Sequence, residues 1–279
     1  MRPHVGRRWA VSLCMLLLAT TAAVASAQSG GKEYAPTEGQ PGKDVIWLPS
    51  RETVVDKMLG LARVTPQDYL IDLGSGDGRL VIAAAKRGAR ALGIEYNPDL
   101  VELSKRNAIA EGVAGATQFV KADIFESDFS QASVITMFLL PDLNLKLRPK
   151  LLQLKPGTRV VSNTFAMADW IPDETAGAGE ECATYCTALL WIVPASVDGE
   201  WRLGASQLAL SQTFQAISGA FGPEGKRVPI RDAKLVGDRI AFAVDDVTYT
   251  GRVQGNVMRG EFRSLRGAGS WSASRVGLR

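Results

Sequence analysis

The residues best suited to chemistry sit close together, in the run Asp72-Leu73-Gly74-Ser75-Gly76-Asp77-Gly78-Arg79. Three glycines at alternate positions let a backbone turn tightly and come close to a ligand. A loop that cradles a dinucleotide pyrophosphate has the spacing G-x-G-x-x-G, whereas Arg79 stands at the sixth position here. Asp72, two residues before the first glycine, points the same way: a carboxylate there suits a cationic ammonium group and repels a pyrophosphate. Glu95 follows 17 residues after Gly78. Its two oxygens can accept from both hydroxyls of a ribose. A third acid, Asp123, stands in Lys121-Ala122-Asp123-Ile124-Phe125. The competing reading of all three acids is structural, as caps and surface turns with no ligand.

These residues need elements that bring them to one edge. Val54, Met58, Leu61 and Ala62 share a helical face. Residues 69–73 read as a short apolar strand, and residues 74–78 open a helix that runs through Ala85 and closes with Lys86, Arg87 and Gly88. A second strand covers 91–95, and Asn97 with Pro98 marks the N-cap and first position of a helix ending near Gly112. Three more strands are predicted at 117–120, 134–140 and 159–163, with a helix over 143–152 between the last two. Strands alternating with helices at this spacing predict an α/β fold, a doubly wound Rossmann-like sheet with each acid at a strand end. An apolar run over 184–194 is expected to form the antiparallel end of that sheet. Beyond it no helical period survives. Short alternating runs separated by Gly237-Asp238, Asp245-Asp246 and Gly255-Asn256 predict hairpins. Residues 199–279 are therefore expected to form a small antiparallel barrel or sandwich with its own core.

The first 27 residues carry Arg2, Arg7 and Arg8, an apolar run and then Ala25-Ser26-Ala27, the pattern of a secretory signal peptide rather than a membrane span. The domain plan is a signal peptide at 1–27, a mobile lead at 28–44, a catalytic domain at 45–195 and the β domain at 199–279, with export to the periplasm or outside as the expected localisation. Arg7-Arg8 also fits twin-arginine export, though the residues after it match poorly. Cleavage would take away three arginines and no acid, so the formal charge falls from +3 to 0. A neutral chain argues against a nucleic-acid partner. It would also remove His4, the one histidine. Without imidazole there is no Ser-His-Asp or Cys-His nucleophile and no histidine-ligated zinc, and no metal site is expected. Cys182 and Cys186 remain; in an oxidising compartment they can form a short-loop disulfide, or they are two small buried residues of one strand.

The G-x-G-x-G loop preceded by Asp72 closely resembles the nucleotide loop of class I S-adenosylmethionine-dependent methyltransferases. The resemblance implies S-adenosylmethionine as cofactor, held by Asp72, Gly74, Ser75, Gly76, Gly78 and Glu95, with Asp123 meeting the adenine amino group and the Ile124 backbone meeting the ring. At the fourth strand's end, nucleobase and glutamine methyltransferases carry Asn/Asp-Pro-Pro-Tyr. This chain has Phe138-Leu139-Leu140-Pro141-Asp142 instead, which turns the expectation away from amide or nucleobase nitrogen. Trp47-Leu48-Pro49-Ser50, Leu139-Leu140-Pro141, the run Pro156 to Phe165 and Trp170-Ile171-Pro172 are similar to the mitochondrial lysine methyltransferases that modify the ATP synthase c-subunit and the adenine nucleotide translocator, and to their bacterial relatives. The similarity covers about residues 45–172.

That resemblance implies methyl transfer to a protein lysine amine, with Leu140, Pro141, Asn163 and Trp170 around the acceptor pocket and Asp142 as a proton acceptor. Catalytic roles are thereby expected for Asp142 and Asn163. For Trp170 and the Leu-Leu-Pro step, simple core packing competes with a pocket role. Two other readings remain open: a small-molecule N- or O-methyltransferase using the same loop, and an exported, non-catalytic binding module on a methyltransferase scaffold. The second arises because the cofactor is made in the cytosol. Oligomeric state is not readable from the sequence.

Overall fold

The computed structural model of the chain describes residues 34–179 and 182–277. The expected signal peptide, residues 1–27, lies outside the described residues. From Tyr34 onward the expected mobile lead has built structure: Pro41 bridges Ile46, and the Gly39 amide donates to the Trp47 carbonyl at 2.9 Å.

After α1 (Glu52–Leu61) the chain alternates β1 (Tyr69–Leu73), α2 (Arg79–Lys86), β2 (Arg90–Glu95), α3 (Pro98–Ala110), β3 (Thr117–Lys121), β4 (Val134–Met137), α4 (Pro141–Leu151) and β5 (Arg159–Asn163). β6 (Glu174–Gly177) and β7 (Thr187–Ile192) complete a seven-stranded sheet in the order β3-β2-β1-β4-β5-β7-β6. The first five strands are parallel, and β7 lies antiparallel between β5 and β6. Helices cover both faces of the parallel strands, which is why β4 and most of β1 and β5 are buried throughout. Strand order reverses between β1 and β4, and there the carboxyl ends diverge into a crevice.

Two boundaries differ from the sequence expectation for one reason. The strand predicted over 134–140 stops at Met137, and the helix predicted from 143 begins at Pro141. Proline forces the residue before it out of the helical region, so Leu140 is extended at ψ 155°, and Pro141 becomes the first helical residue. Phe138, Leu139 and Leu140 are thereby released as a loop over the strand ends. The unpredicted β6 is an edge strand with exposed and half-buried positions, Glu-Thr-Ala-Gly, which no apolar alternation marks.

The remaining strands, β8 (Gly199–Leu203), β9 (Ser206–Thr213), β10 (Ala216–Gly222), β11 (Val228–Pro229), β12 (Arg231–Val236), β13 (Arg239–Val244), β14 (Val247–Gln254), β15 (Val257–Ser264) and β16 (Gly267–Arg275), form one antiparallel sheet. Its order is β11-β10-β9-β8-β16-β15-β14-β13-β12, and β10 approaches β12 so that the sheet nearly closes. Three turns have a positive φ at their first residue, 60° at Gly237, 52° at Asp245 and 58° at Gly255. Tight hairpins need that geometry to match strand twist. Trp201, Leu208, Ile240, Phe242, Met258 and Trp271 fill the interior as a core of the sheet's own.

Trp170 lies in the seam between the two sheets. It is fully buried, with its ring 6.0 Å from Trp191 and stacked 5.8 Å from Phe214, and its carbonyl accepts from Trp191 Nε1 at 2.7 Å. The structure therefore places it in the core rather than in an acceptor pocket. Trp170→Ala is expected to cost about 3–5 kcal/mol of stability in urea unfolding, while S-adenosylhomocysteine affinity, read by calorimetry, stays unchanged.

Candidate active site

Asp72 is the penultimate residue of β1 and has 2% of its surface exposed. Its Oδ1 accepts from Thr136 Oγ1 of neighbouring β4 at 2.7 Å. Burial pushes its carboxyl up to about 7; the Thr136 hydroxyl opposes this, while Glu95 and Asp77, both of its own sign, add to it. A site so built is short of one positive charge.

The glycine loop leaves β1 directly afterward. Gly76 has φ +55°, and a Cβ there would lie 2.8 Å from Trp47 Nε1; Gly78, at φ +84°, is the N-cap of α2 and would clash with the Phe119 ring at 2.8 Å. Neither position tolerates a side chain. α3 braces the loop from below, Ser104 Oγ donating to the Gly76 carbonyl at 2.9 Å and Asn107 Nδ2 to the Asp77 carbonyl at 2.9 Å. Glu95, at the end of β2, accepts from the Gly76 amide at 2.9 Å through Oε2 and from the Asn97 amide at 2.9 Å through Oε1. Each oxygen keeps a further lone pair for a ligand hydroxyl. Ser75 Oγ is buried with no hydrogen-bond partner among the described residues.

Asp123 follows β3. Its Oδ1 accepts from the Phe125 amide at 2.9 Å, and its Oδ2 pairs with Lys43 Nζ at 2.6 Å. The Lys43 ammonium, then the Phe125 amide, hold this carboxyl below the usual range. Lys43 belongs to a strap from the N-terminal side, residues 40–50, anchored at its far end where Asn163 Nδ2 donates to Ser50 Oγ at 3.1 Å and Arg79 donates to the Ser50 carbonyl at 2.6 Å.

Two cavities meet under this strap. One is lined by Glu95, Tyr96, Asp123, Ile124 and Leu139, the other by Asp72, Ser75, Gly76 and Asp77. Trp47, Leu48, Gly74 and Phe138 line both. The structure thus gathers Asp72, Gly74, Ser75, Gly76, Glu95, Asp123 and Ile124 around these two adjoining cavities, with Gly78 at the helix entry. It does not bring Leu140, Pro141, Asp142, Asn163 or Trp170 to the walls of either cavity. Leu140 is 47% exposed, and Asp142 is exposed on the first turn of α4, where its charge complements the helix dipole. Asn163 is fully buried and spends its amide on Ser50 and Thr164. Lys43, Thr136, Phe138 and Trp47 are the contributors that strand-end reasoning did not assign to the site. Thr136 alone had a local signal, a hydroxyl inside the apolar run Val134 to Met137.

The native state keeps the Asp72 proton between about pH 4 and pH 7, where an unfolded aspartate has lost it. Stability is therefore fully present below about pH 4 and is lost as pH rises through about 7, by roughly 4 kcal/mol for so buried a group. Asp72→Asn keeps the acceptor for Thr136 and removes the charge. It is expected to raise the ligand-free melting temperature at pH 8 by several degrees, to make no difference near pH 4, and to abolish S-adenosylhomocysteine binding.

Comparison with known proteins gives concordant results. The family model described as the ANTKMT methyltransferase domain matches residues 72–174. A protein-lysine N-methyltransferase of Saccharolobus islandicus is 45% identical over 133 residues, 47% of this chain and 83% of that protein. The human lysine N-methyltransferase of the ATP synthase C-subunit is 44% identical over 134 residues, 48% of this chain and 57% of that protein. A solved structure described as an RNA methyltransferase from Salinibacter ruber in complex with S-adenosyl-L-homocysteine is 48% identical, with a TM-score of 0.51, covering 54% of this chain and 96% of that one. Acidic strand ends around a glycine loop, and relatives covered over most of their own length, lead to one assignment: the chain belongs to the ANTKMT family of S-adenosylmethionine-dependent methyltransferases.

Proposed function

We propose that the protein transfers a methyl group from S-adenosylmethionine to the side-chain amine of a lysine in a protein substrate. The observation that carries the cofactor half is the buried Asp72 carboxylate, which lines the second cavity with, among the described residues, only the Thr136 hydroxyl on it, while Arg79 of the same cavity is paired with Asp77. Asp72 would hold the amino acid ammonium, Glu95 the ribose hydroxyls, and Asp123 with the Ile124 backbone the adenine. The side-chain-free backbone at Gly74 and Gly76, on the cavity walls, fits a ligand packed close to it. When bound, the cofactor supplies a sulfonium-activated methyl group. The chain's own part is to align the acceptor in a site partly shielded from water, which contributes several of the ~7–11 kcal/mol available from positioning.

A lysine amine must shed its proton before transfer, since its ordinary pKa is about 10.4. The half-buried ring of Phe138, at the junction of the two cavities, takes water from whatever approaches there, which lowers that pKa and works against the ring's own attraction for the ammonium. Asp142, exposed on the same loop-to-helix turn, is proposed to take the proton to solvent. The lysine reading is supported by the two lysine methyltransferase relatives, at 44–45% identity over about half of this chain. The Salinibacter ruber structure, described as an RNA methyltransferase, supports RNA as the competing acceptor class.

Export is proposed alongside, supported by the signal-like first residues and by the disulfide joining Cys182 to Cys186. Such bonds persist in oxidising compartments.

Incubation of cell-envelope and cytosolic extracts with radiolabelled cofactor separates these acceptors. Label is expected in protein, recovered after hydrolysis as methyl-lysine. Label confined to RNA or to small molecules would remove the lysine reading. By calorimetry, Glu95→Ala should weaken S-adenosylhomocysteine binding by about a hundredfold or more, since two hydrogen bonds to a charged group, each about 1.5–3 kcal/mol, are lost.

A further inference from the structure

We infer that the open faces of Phe138, Phe165 and Tyr185 form the aromatic surface that receives the acceptor's ammonium group, and that the Cys182–Cys186 disulfide holds Tyr185 in it; this rests on the amine-acceptor reading above. Phe138 lines both cavities and so marks the point where the nucleoside side of the crevice meets its amino acid side. Two further rings stand against it. Phe165 stacks at 6.0 Å between centroids with 16° between planes, and Tyr185 meets Phe138 edge-on at 5.3 Å and 62°. Phe165 and Tyr185 are themselves 5.8 Å apart. Each ring touches the other two.

This cluster is not a core. Tyr185 is 41% exposed, and Phe138 and Phe165 are half-buried. The three come from different elements: Phe138 follows β4, Phe165 follows β5, and Tyr185 precedes β7, whose antiparallel run puts its start beside the end of β5, Asn163 pairing with Ala188. All three rings therefore collect at the carboxyl edge, where the acceptor must enter.

The backbone beneath them is held in an uncommon conformation. Tyr185 has φ +56° and Thr164, just before Phe165, has φ +61°. Non-glycine residues rarely adopt this region, β-branched ones least of all, and they do so where surrounding structure enforces it. The enforcing contacts are visible. The Thr164 amide donates to the Thr187 carbonyl at 2.6 Å, the Ala178 amide to the Cys186 carbonyl at 2.7 Å, and the disulfide closes the loop that contains Tyr185.

Aromatic faces carry negative quadrupolar potential and attract ammonium groups, including fully methylated ones that have no proton left to donate. Such a surface draws lysine to the entrance as a cation, before the amine reaches the drier junction where it sheds its proton, and still accommodates each methylated product. Tyr185 is then a specificity residue, and Cys182 and Cys186 are positioning residues that act through it.

Calorimetry on the full chain saturated with S-adenosylhomocysteine tests this, using Nα-acetyl-trimethyllysine amide and its neutral isostere in which carbon replaces the ammonium nitrogen. The trimethyllysine probe is expected to bind roughly tenfold more tightly than the isostere. Tyr185→Ala and the double variant C182S/C186S should each remove that preference, whereas Tyr185→Phe should retain it, with S-adenosylhomocysteine affinity unchanged in all three. With a protein acceptor, the double variant should raise KM rather than lower kcat. Equal binding of the two probes, or a preference that survives Tyr185→Ala, overturns the aromatic receiving surface even if lysine is methylated. Failure of the wild-type protein to label lysine in extracts overturns instead the reading on which that surface rests.

Discussion

Asp72 carries a carboxylate into a place that water barely reaches, and much of the catalytic half is arranged around the consequence. A buried charge without a partner is costly, and the one hydroxyl that reaches it, from Thr136, offsets only part of that cost. The position is available because β1 is central in the parallel sheet, covered on both faces, with β4 beside it at the point where strand order reverses. The same burial that destabilises the ligand-free protein near neutral pH makes the site selective for a cation. An exposed aspartate at the same strand end would be satisfied by water and would discriminate far less.

The other two acids are managed differently. Glu95 is held by backbone amides of the glycine loop and of the α3 start, so its oxygens are fixed in direction while each retains acceptor capacity. Asp123 is paired with Lys43, a residue far away in sequence, and that pair fastens the strap of residues 40–50 across the crevice. The strap's far end is fastened by Asn163 and Arg79 through Ser50, and Trp47 packs over Gly76 between the two anchors. Nucleoside side, loop and strap are therefore mechanically connected. A side chain at position 76 would disturb the strap as much as the ligand.

How much of this could be read from residue order depends on the range of the interaction. Asp72, the glycines, Glu95 and Asp123 were legible because a strand end followed by a tight turn is a local pattern. The hairpins at Gly237, Asp245 and Gly255 were legible for the same reason, since positive φ at a turn selects its residues. The early stop of β4 is also local, and the proline at 141 accounts for it. Trp170 was ambiguous: an aromatic residue beside a recognised motif fits a pocket and a core equally well, and only the neighbourhood of Trp191 and Phe214 separates them. The polar edge strand β6 offers no apolar period to detect. The Lys43 to Asp123 pair and the three-ring cluster depend on segments that meet only in the folded chain.

That distinction in range falls along a functional division. The family model ends at residue 174, and the features it spans, from Asp72 through the strand-end acids, concern one ligand whose ammonium, sugar and purine do not vary. The disulfide loop at 182–186 and the second sheet lie beyond it. Phe138 and Phe165 belong to the matched part, but the ring that completes their cluster comes from outside it. A fold that keeps one ligand constant and changes its acceptor can leave the buried carboxylate and its glycine loop untouched, because altering them costs both stability and binding. Change is cheaper in an exposed loop whose conformation is set by a covalent clip and two backbone hydrogen bonds. On this view the edge of the sheet has two regimes, one fixed by electrostatics in a dry interior and one set by aromatic surface at the entrance, and Phe138 is the residue at which they join.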